Sequence, residues 1–590
     1  MKSLSPLFLC VPALLIGCAT VVAPSGGPED KLPPRVAAVS PAPNAVNQSR
    51  ELAVKVQFDE WINSTVSRSA VTISPPIEKK LRFEVDGDLL SITSKSKLDS
   101  NTTYTLTVGS GLKDLHGNAV AKPFQIVFST GSSIDSLSVS GRVSVTPAMI
   151  KQKQYPTVGL FPVGKERSSR RYLAKYRDTT GTVPDSVPRL DYEPPLFATQ
   201  SDSNGWFRLG GLRPGHYQVV SFVDANGNQR IEPSVEWAGV ADKDLNLTPE
   251  MKDSLWIVLA DQDTSLLSLE SVTQAGAYML SAKFLRNIVI DSDFVRNGNC
   301  RLTAKDSSRR YPAAVFRNTK DASPMFYFNP APAWDSTYTF SCGSAADSLG
   351  RKLDPRLNSL SITWEKIKND TLPPAIVAVT PANGIKNVFP KEPAVIAYDK
   401  PFAGDSLRAE LFAIVNRDTL PVAVTRLDTA RFEVRAYYPW PTDAKVNLVQ
   451  AYMDTTLKAA DSNGVRDTVI ERKMRSLTKF ETVAKLKLAS LYGVIPGGKL
   501  DTRARLRSVE TGKDVIVPCD ATGTFRVSDL LEGSYLLDYY RVKQGSDVPF
   551  AGKLSPMEPG LPWRAAADTV KIVNGPNTLS DLVKNLPVLP

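Results

Sequence analysis

The sequence predicts an all-β protein built from tandem β-sandwich domains behind a flexible N-terminal tether. The chain has 590 residues, whereas a single hydrophobic core stops growing near about 250–300 residues, so several domains are expected. With 44 Pro and 35 Gly, and few long stretches of helical period, the composition favours many short strands and turns. Two kinds of sequence unit also recur along the chain, which indicates repeated domains.

The first 17 residues are typical of a secretory signal. Lys2 supplies a positive flank, and residues 7–16 form an apolar run that is shorter than the ~20 residues needed to span a bilayer. The run ends in LIGC, which resembles the lipobox of bacterial lipoproteins. This resemblance implies that the chain is cut before Cys18 and that the Cys18 sulfur carries diacylglycerol. The alternative is an ordinary signal peptide followed by a chance cysteine.

Residues 18–32 are expected to form a lipidated tether. The segment is rich in Pro and Gly and shows neither strand nor helix periodicity. Two or three acyl chains, at ~0.8 kcal/mol per buried methylene, hold a soluble body on a bilayer, so the membrane is the expected partner of Cys18. Within lipoproteins, an Asp directly after the cysteine is associated with inner-membrane retention. Ala19 stands there, which favours the bacterial outer membrane and leaves open which face the body occupies.

Alternating apolar residues predict the first sandwich domain at 33–132. Residues 52–58 read LAVKVQF, a half-buried strand. Residues 101–131 then contain a strand opened by Tyr104, the turn DLHGN and a closing strand FQIVFSTG. This ending resembles the bacterial Ig-like domain of the S-layer-protein type. Tyr104 is also similar to a tyrosine corner, in which the phenol bonds a nearby backbone group, while the threonines on alternate positions form the opposite face of the strand.

A second kind of unit is expected at 134–262 and again at 487–590. Residues 204–224 match residues 522–542 without a gap, with Gly at the chain reversals and aromatic residues facing inward. The pattern resembles the prealbumin-like fold of carboxypeptidase regulatory-like domains, small sandwiches that share an architecture with some starch-binding modules. The resemblance therefore implies two prealbumin-like domains.

Two further Ig-like domains are predicted at 265–368 and 370–484. Residues 333–353 repeat the closing motif of the first domain, with Tyr338 in the place of Tyr104. The stretch LPPRVAAVSPAPN, which opens the first domain, returns as LPPAIVAVTPANG at residue 372. In the last copy Val446 replaces the tyrosine, so the match is weaker there.

Three cysteines remain in the predicted mature body. Cys300 and Cys342 each share a strand face with apolar residues, so both thiols are expected to face one core. An oxidising periplasm would permit a disulfide between them, although sequence spacing does not establish that they are close enough. Cys519 follows two inward-facing valines and is expected to be a buried, inert thiol.

The charged residues do not indicate a nucleic-acid partner. The 71 basic and 61 acidic residues are interleaved, for a net charge of +10. The densest basic cluster, 165–171, reads KERSSRR and contains no aromatic residues. A solvated loop therefore explains it better than a patch for nucleic acid or anionic lipid.

The sequence predicts a protein that is not an enzyme. The two histidines, His116 and His216, lie in predicted turns, and neither neighbours a hydrolase elbow, a zinc-binding helix motif or a cysteine cluster. Tandem sandwiches are also expected to present convex surfaces rather than a cleft. No cofactor is expected apart from the calcium considered next.

The stretch DANGNQRIE offers the one candidate metal site. Asp224, Asn226, Asn228 and Glu232 could supply oxygen ligands to calcium. However, Gln229 stands where an EF-hand loop needs glycine, and the bidentate Glu of that loop is replaced by valine. The same residues also form a good structural turn, and both interpretations stay open.

Two functional hypotheses follow. The first is a non-catalytic, lipid-anchored envelope protein that serves as structural scaffold, adhesin-like element or docking surface for another envelope protein. The second is binding of a polysaccharide by the prealbumin-like units, with Trp206 and Tyr217 as ligand contacts. Trp61, Trp206 and Trp237 could stack on sugar rings, but packing in or at the rim of a core explains each of them as well.

Overall fold

A computed structural model describes residues 30–163, 190, 193–251, 254–290, 294, 299–348, 350–367, 373–402, 410–457, 468–554 and 557–590. Cys18, most of the tether and the basic cluster at 165–171 lie outside the described residues. The described part is nearly all-β, which confirms the predicted fold class. None of its helices is both long and apolar enough to cross a membrane.

The first domain packs two antiparallel sheets around one apolar core. Its strands are β1 Val36–Ser40, β2 Glu51–Phe58, β3 Val71–Ser74, β4 Leu81–Asp86, β5 Leu89–Lys97, β6 Thr103–Val108 and β7 Phe124–Ser129, with a 3₁₀ turn at Arg68–Ala70. The sheets have the orders β1-β2-β5-β4 and β3-β6-β7. The apolar side chains of β2 from Leu52 to Phe58 are buried and those between them are not, as the alternation predicts.

The second domain combines a six-stranded and a three-stranded sheet. Its elements are β8 Leu137–Val143, α1 Pro147–Gln152, β9 Thr157–Pro162, β10 Phe197–Gln200, β11 Trp206–Leu212, β12 Gly215–Phe222, β13 Trp237–Val240, β14 Leu245–Leu247, β15 Leu255–Ile257 and β16 Ala260–Asp261. The larger sheet has the order β10-β9-β12-β13-β16, with β14 also paired to β12, and the smaller one has β11-β8-β15. Their inner faces enclose one core.

The third domain repeats the sheet topology of the first. Its strands are β17 Leu269–Gln274, β18 Met279–Phe284, β19 Cys300–Ala304, β20 Arg309–Arg310, β21 Ala314–Arg317, β22 Pro324–Tyr327, β23 Ser336–Cys342 and β24 Ser359–Trp364. The sheets β17-β18-β22-β21 and β20-β19-β23-β24 correspond to the two sheets of the first domain, with β20 added at an edge.

In the fourth domain the strands form one continuous path rather than two separate sheets. They are β25 Ile376–Thr380, β26 Ala394–Tyr398, β27 Leu411–Val415, β28 Asp418–Arg426, β29 Arg431–Ala436, β30 Lys445–Leu457 and β31 Thr468–Glu481. Their order is β25-β26-β29-β28-β27-β30-β31. Asn416 and Arg417, at φ 54° and 109°, form a two-residue hairpin turn that lets β28 pair with β27. In the first domain, residues 75–80 replace this turn and begin with Pro75 and Pro76, which have no N–H to donate to a ladder.

The fifth domain has the topology of the second. Its elements are a 3₁₀ turn Lys485–Lys487, β32 Leu488–Val494, β33 Thr502–Ser508, β34 Asp514–Pro518, β35 Thr524–Leu531, β36 Gly533–Arg541, β37 Lys553–Leu554, β38 Met557–Glu558, β39 Trp563–Ala565, β40 Val570–Ile572, β41 Gly575–Thr578 and α2 Leu579–Leu582. The sheets β35-β32-β41 and β34-β33-β36-β39, with β40 on β36, match the second domain strand for strand apart from its edge strand β16. In both domains the last strand of the smaller sheet runs parallel to its neighbour.

Candidate functional site

A groove of about 810 Å³ lies between the first and second domains. The first domain contributes Asn44 and Lys122, and the linker between the domains contributes Asp135. The second domain contributes Trp206 and Arg208. This groove corrects the prediction that the tandem domains present only convex surfaces. It was not predictable from single domains, because it exists only where two domains meet.

Trp206 reaches the groove because of strand alternation. In β11, Phe207 and Leu209 point into the core, so Trp206 and Arg208 point outward. The Trp206 side chain is 38% exposed. Arg142, directly opposite it on β8, places its guanidinium carbon 5.1 Å from the centre of the indole ring. Trp206 is therefore a partly exposed aromatic surface that is supported on one side.

The support for Trp206 extends into the fifth domain. Trp256 of β15 packs edge-on to Trp206, with ring centroids 5.7 Å apart, and Trp563 of the fifth domain packs on Trp256 at the same distance. Arg142 also donates from Nη1 to the backbone oxygen of Ala566, at 2.7 Å. The fifth domain thus contacts both groups that hold the Trp206 ring.

An aspartate fixes the turn that presents Trp206. Oδ1 of Asp202 accepts the backbone N–H groups of Asn204 and Trp206, both at 2.9 Å. In the fifth domain, Asp520 accepts the N–H groups of Thr522 and Thr524 in the same way. The turn is therefore shared by the two domains, whereas the indole is not, because Thr524 occupies the position of Trp206.

The structure corrects the prediction that Tyr217 contacts a ligand. Tyr217 is 0% exposed, and its ring packs edge-on to Phe197 inside the domain core. Its hydroxyl donates to the backbone oxygen of Arg213 at 3.1 Å. Tyr535 of the fifth domain makes the equivalent bond, to Leu531. The tyrosine is thus a core residue that anchors a turn, and it cannot stack on a sugar.

The other two candidate tryptophans are also exposed. Trp61 is 66% exposed and lies against Gly87, and Trp237, at the start of β13, is 44% exposed. The groove residues include neither of them. Of the three tryptophans suggested for sugar binding, the groove therefore contains Trp206.

The four predicted calcium ligands come together in one loop. Glu232 accepts hydrogen bonds from the side-chain amides of Asn226, at 3.1 Å, and Asn228, at 2.7 Å. Asp224 accepts the backbone N–H groups of Asn228 and Gln229. These hydrogen bonds hold the loop together through its own side chains. This agrees with the interpretation of the loop as a structural turn. An all-oxygen set of carboxylates and amides also suits calcium, so the calcium hypothesis stays a prediction.

A third carboxylate belongs to this loop and was not among the predicted ligands. Glu236 is buried and accepts the N–H groups of Ala225 and Glu232, at 3.1 and 3.0 Å. Burial raises the pKa of Asp224 and of Glu236, and the neighbouring carboxylates raise both pKa values further. Two features of the sequence could have identified Glu236. It lies four residues after Glu232, and it directly follows Val235, which stands where an EF-hand loop has its bidentate Glu.

The two histidines do not meet in one site. His216 lies in strand β12, paired with Asn246, rather than in the predicted turn. His116 is exposed in the turn after β6, with Nδ1 3.5 Å from Oδ2 of Asp30. Asp114 completes a cluster with these two groups, but its carboxylate accepts both the backbone and the side-chain N–H groups of Asn118. Asp114 therefore serves to hold the turn.

Cys300 and Cys342 form a disulfide in the structure. They are directly opposite each other on β19 and β23, and both are buried in the third core. Cys519 is a free, buried thiol, and burial raises its pKa to about 11. At neutral pH this thiol is therefore protonated and is a poor nucleophile.

Comparison with solved structures gives distant similarities. An L,D-transpeptidase from Mycobacterium smegmatis is 14% identical and covers 30% of this chain and 78% of its own, at a TM-score of 0.15. The surface layer protein SbsC, domains 1–6, is 12% identical, and its match spans 87% of this chain and 62% of SbsC at a TM-score of 0.13. The alpha-2-macroglobulin of E. coli is 11% identical, and its match spans 86% of this chain and 41% of that protein at a TM-score of 0.14. TM-scores this low carry no argument about function.

Comparison of sequences identifies one domain. No curated protein sequence matches the chain. Residues 30–130 match the family model of the bacterial Ig-like domain. The resemblance seen in the closing motif around Tyr104 is thereby confirmed, and this part of the chain is a bacterial Ig-like domain.

Proposed function

We propose that the protein is a non-catalytic, lipid-anchored scaffold of the bacterial cell envelope. Its single body would be built from five sandwich domains, carried on the tether at Cys18. The proposed domains are Ig-like at 33–132, 265–368 and 370–484 and prealbumin-like at 134–262 and 487–590. The observation that carries the proposal is that specific polar and apolar contacts join domains of the chain to one another.

The first two domains share a polar interface. Strand β6 is buried on both faces, because the second domain covers the threonine face that sequence alone would leave to solvent. Thr105 donates to the backbone oxygen of Gly210 at 2.9 Å. The hydroxyl and the backbone N–H of Ser110 both donate to the side-chain oxygen of Gln200. These paired groups fix the orientation of one domain on the other, since turning either would leave them unsatisfied.

Apolar contacts join the other domains. Phe316 and Met325 of the third domain belong to the same core cluster as the buried residues of the fourth. Trp256 of the second domain clusters with Tyr540 and Trp563 of the fifth. Burial of apolar side chains between domains stabilises one arrangement of the chain over a loose string. A stiff body of this kind suits a spacer or a docking surface held at a fixed distance from a membrane.

The lipid anchor is tested by metabolic labelling. Cells that express the full chain are given radiolabelled palmitate, and membranes are separated by density. We expect the wild-type protein to incorporate label and to sediment with the outer membrane. We expect Cys18→Ala to incorporate no label and not to sediment with that membrane. Protease treatment of intact cells then distinguishes a surface-facing body from a periplasmic one. Incorporation of label by Cys18→Ala, or a soluble wild-type protein, would refute the anchor.

A second candidate function is carbohydrate binding by the prealbumin-like domain at 134–262. Its support is the exposed indole of Trp206 at the groove, because aromatic faces stack on sugar rings. Tyr217, the other residue expected to take part, is buried. The candidate therefore depends on Trp206 and on the groove residues around it.

A further inference from the structure

We infer that the groove between the first two domains binds a linear, uncharged oligosaccharide, with Trp206 as its stacking surface and Arg142 as the residue that positions that surface. The inference rests on the proposed carbohydrate-binding function and adds the location of the site, the class of ligand and the dependence on the fifth domain.

The groove has room for a short oligosaccharide. Its walls come from two domains and the linker between them. Its volume of about 810 Å³ lies in the range of ordinary ligand sites. An oligosaccharide of a few sugar units could therefore lie in it.

The charges that line the groove balance. Lys122 and Arg208 are opposed by Asp135 and Asp202, so the groove has no excess charge to attract a polyanion. Asn44 and the charged groups offer both donors and acceptors. This combination of an aromatic face with mixed hydrogen-bonding groups suits sugar hydroxyls.

The Trp206 ring is held in place before any ligand arrives. Arg142 spans the ring and bonds the backbone oxygens of Asn204, at 3.0 Å, and of Ala566 in the fifth domain, at 2.7 Å. Trp256 supports the ring edge and is itself packed on Trp563 of the fifth domain. A side chain fixed in this way loses little conformational entropy when a ligand binds. The fifth domain thus contributes to the site without lining it.

The chain provides its own matched variants. In the fifth domain the cross-strand pair equivalent to Arg142 and Trp206 is Val494 and Thr524. The same turn and the same strand pairing therefore accept Thr and Val at these positions. Trp206→Thr and Arg142→Val remove the ring and its support with residues that the fold already tolerates. Trp237→Thr is the control, because Trp237 is an exposed tryptophan of the same domain outside the groove.

The test uses the full mature chain with Cys18 replaced by serine to keep it soluble. Tryptophan fluorescence and calorimetry are recorded on titration with cellohexaose, maltohexaose, the N-acetylglucosamine hexamer of chitin and, as the anionic probe, hexagalacturonate. We expect at least one uncharged hexasaccharide to bind, Trp206→Thr to weaken it roughly tenfold or more, and Trp237→Thr to leave it unchanged. Arg142→Val should weaken binding and alter the Trp206 emission, while the circular dichroism spectrum stays that of the folded wild type.

The failures are distinguishable. Binding that Trp206→Thr leaves intact would overturn the groove as the site and leave carbohydrate binding standing. Binding of hexagalacturonate alone would overturn the uncharged class of ligand. Binding unaffected by Arg142→Val would overturn the positioning role. No binding of any probe to the wild-type chain would overturn both this inference and the carbohydrate function on which it rests, leaving the scaffold proposal untouched.

Discussion

Tyr104 of the first domain and Tyr338 of the third make the same hydrogen bond. Each is buried, and each hydroxyl accepts the backbone N–H of the residue five positions earlier, Asp99 or Ala333, at 2.9 Å. The sequence indicated a similarity to a tyrosine corner, and in both domains the structure has the corresponding hydrogen bond between the phenol and a nearby backbone group. The fourth domain has Val446 at this position and buries it in the core without such a bond.

Removing the Tyr104 hydroxyl tests this interpretation. Tyr104→Phe keeps the ring but removes the acceptor for the Asp99 N–H, and we expect it to lower the free energy of unfolding by about 1 kcal/mol. Tyr438→Phe is the control, because Tyr438 is 83% exposed and should have no measurable effect. Urea denaturation of the two variants gives the comparison. Equal stability of Tyr104→Phe and wild type would contradict a structural role for the hydroxyl.

The half-buried carboxylate of Asp224 predicts a pH effect. The folded state holds protons on Asp224 more tightly than the unfolded state, because burial raises the pKa of this carboxyl above its ordinary value of 3.8. The contribution of Asp224 to stability therefore falls as the pH rises above that value. We expect the unfolding temperature of Asp224→Asn, relative to wild type, to shift in favour of the variant from acid to neutral pH. Asp568→Asn, at an exposed position, should show no such trend.

Calcium distinguishes the two interpretations of the same loop. A bound divalent cation would stabilise the ionised carboxylates and raise the unfolding temperature of the wild type, and Asp224→Asn would abolish that rise. A purely structural turn predicts the same unfolding temperature in millimolar CaCl₂ and in EDTA. Scanning calorimetry of both proteins in the two buffers decides between these outcomes.

At the scale of elements, sequence pattern located strands well where one side chain in two is apolar. Strand β2 is the clearest case, because its alternation matches its burial. The gapless match of residues 204–224 with 522–542 also corresponds to equivalent strands, β11 with β35 and β12 with β36. The continuous sheet of the fourth domain was not predictable in the same way, because it depends on one tight turn at Asn416 and Arg417 rather than on apolar pattern.

The disulfide between Cys300 and Cys342 covalently links two neighbouring strands, β19 and β23. It links residues 42 apart, so the reduced unfolded chain gains loop entropy that the oxidised one lacks. We expect Cys300→Ala with Cys342→Ala to lower the stability of the third domain by about 4 kcal/mol. The double variant is compared with wild type by thermal unfolding with and without reductant. A reductant-insensitive wild type that matches the variant would show that the bond does not form in solution.

At the scale of the whole molecule, contacts between domains decide what is exposed. Gln125 of the first domain donates to the hydroxyl of Thr199 and the backbone oxygen of Arg208, at 3.0 and 2.9 Å. Its side-chain oxygen accepts the N–H of Gly210 at 3.1 Å. One amide thus pairs three groups of the second domain, which no local pattern around Gln125 indicates.

Gln125→Ala should loosen this junction. Loss of the amide leaves the Gly210 N–H without that acceptor, and we expect a cost of about 1–2 kcal/mol at the interface. The linker at residues 131–136 should then be cut faster in limited proteolysis, followed by mass spectrometry. Gln57→Ala, on a strand of the opposite sheet, is the control and should be cut at the wild-type rate. Unchanged cleavage in Gln125→Ala would show that the amide does not hold the domains together.

The alternation of apolar residues predicted the all-β class, because it encodes which side of a strand faces a core, and the closing motif around Tyr104 predicted the first Ig-like domain. What covers the polar faces depends instead on how the domains pack on one another. A threonine or glutamine that forms a hydrogen bond to another domain lies in the same local sequence pattern as one that forms a hydrogen bond to water. The groove, the support of Trp206 by the fifth domain and the burial of strand β6 on both sides arise from those pairings between distant parts of the chain.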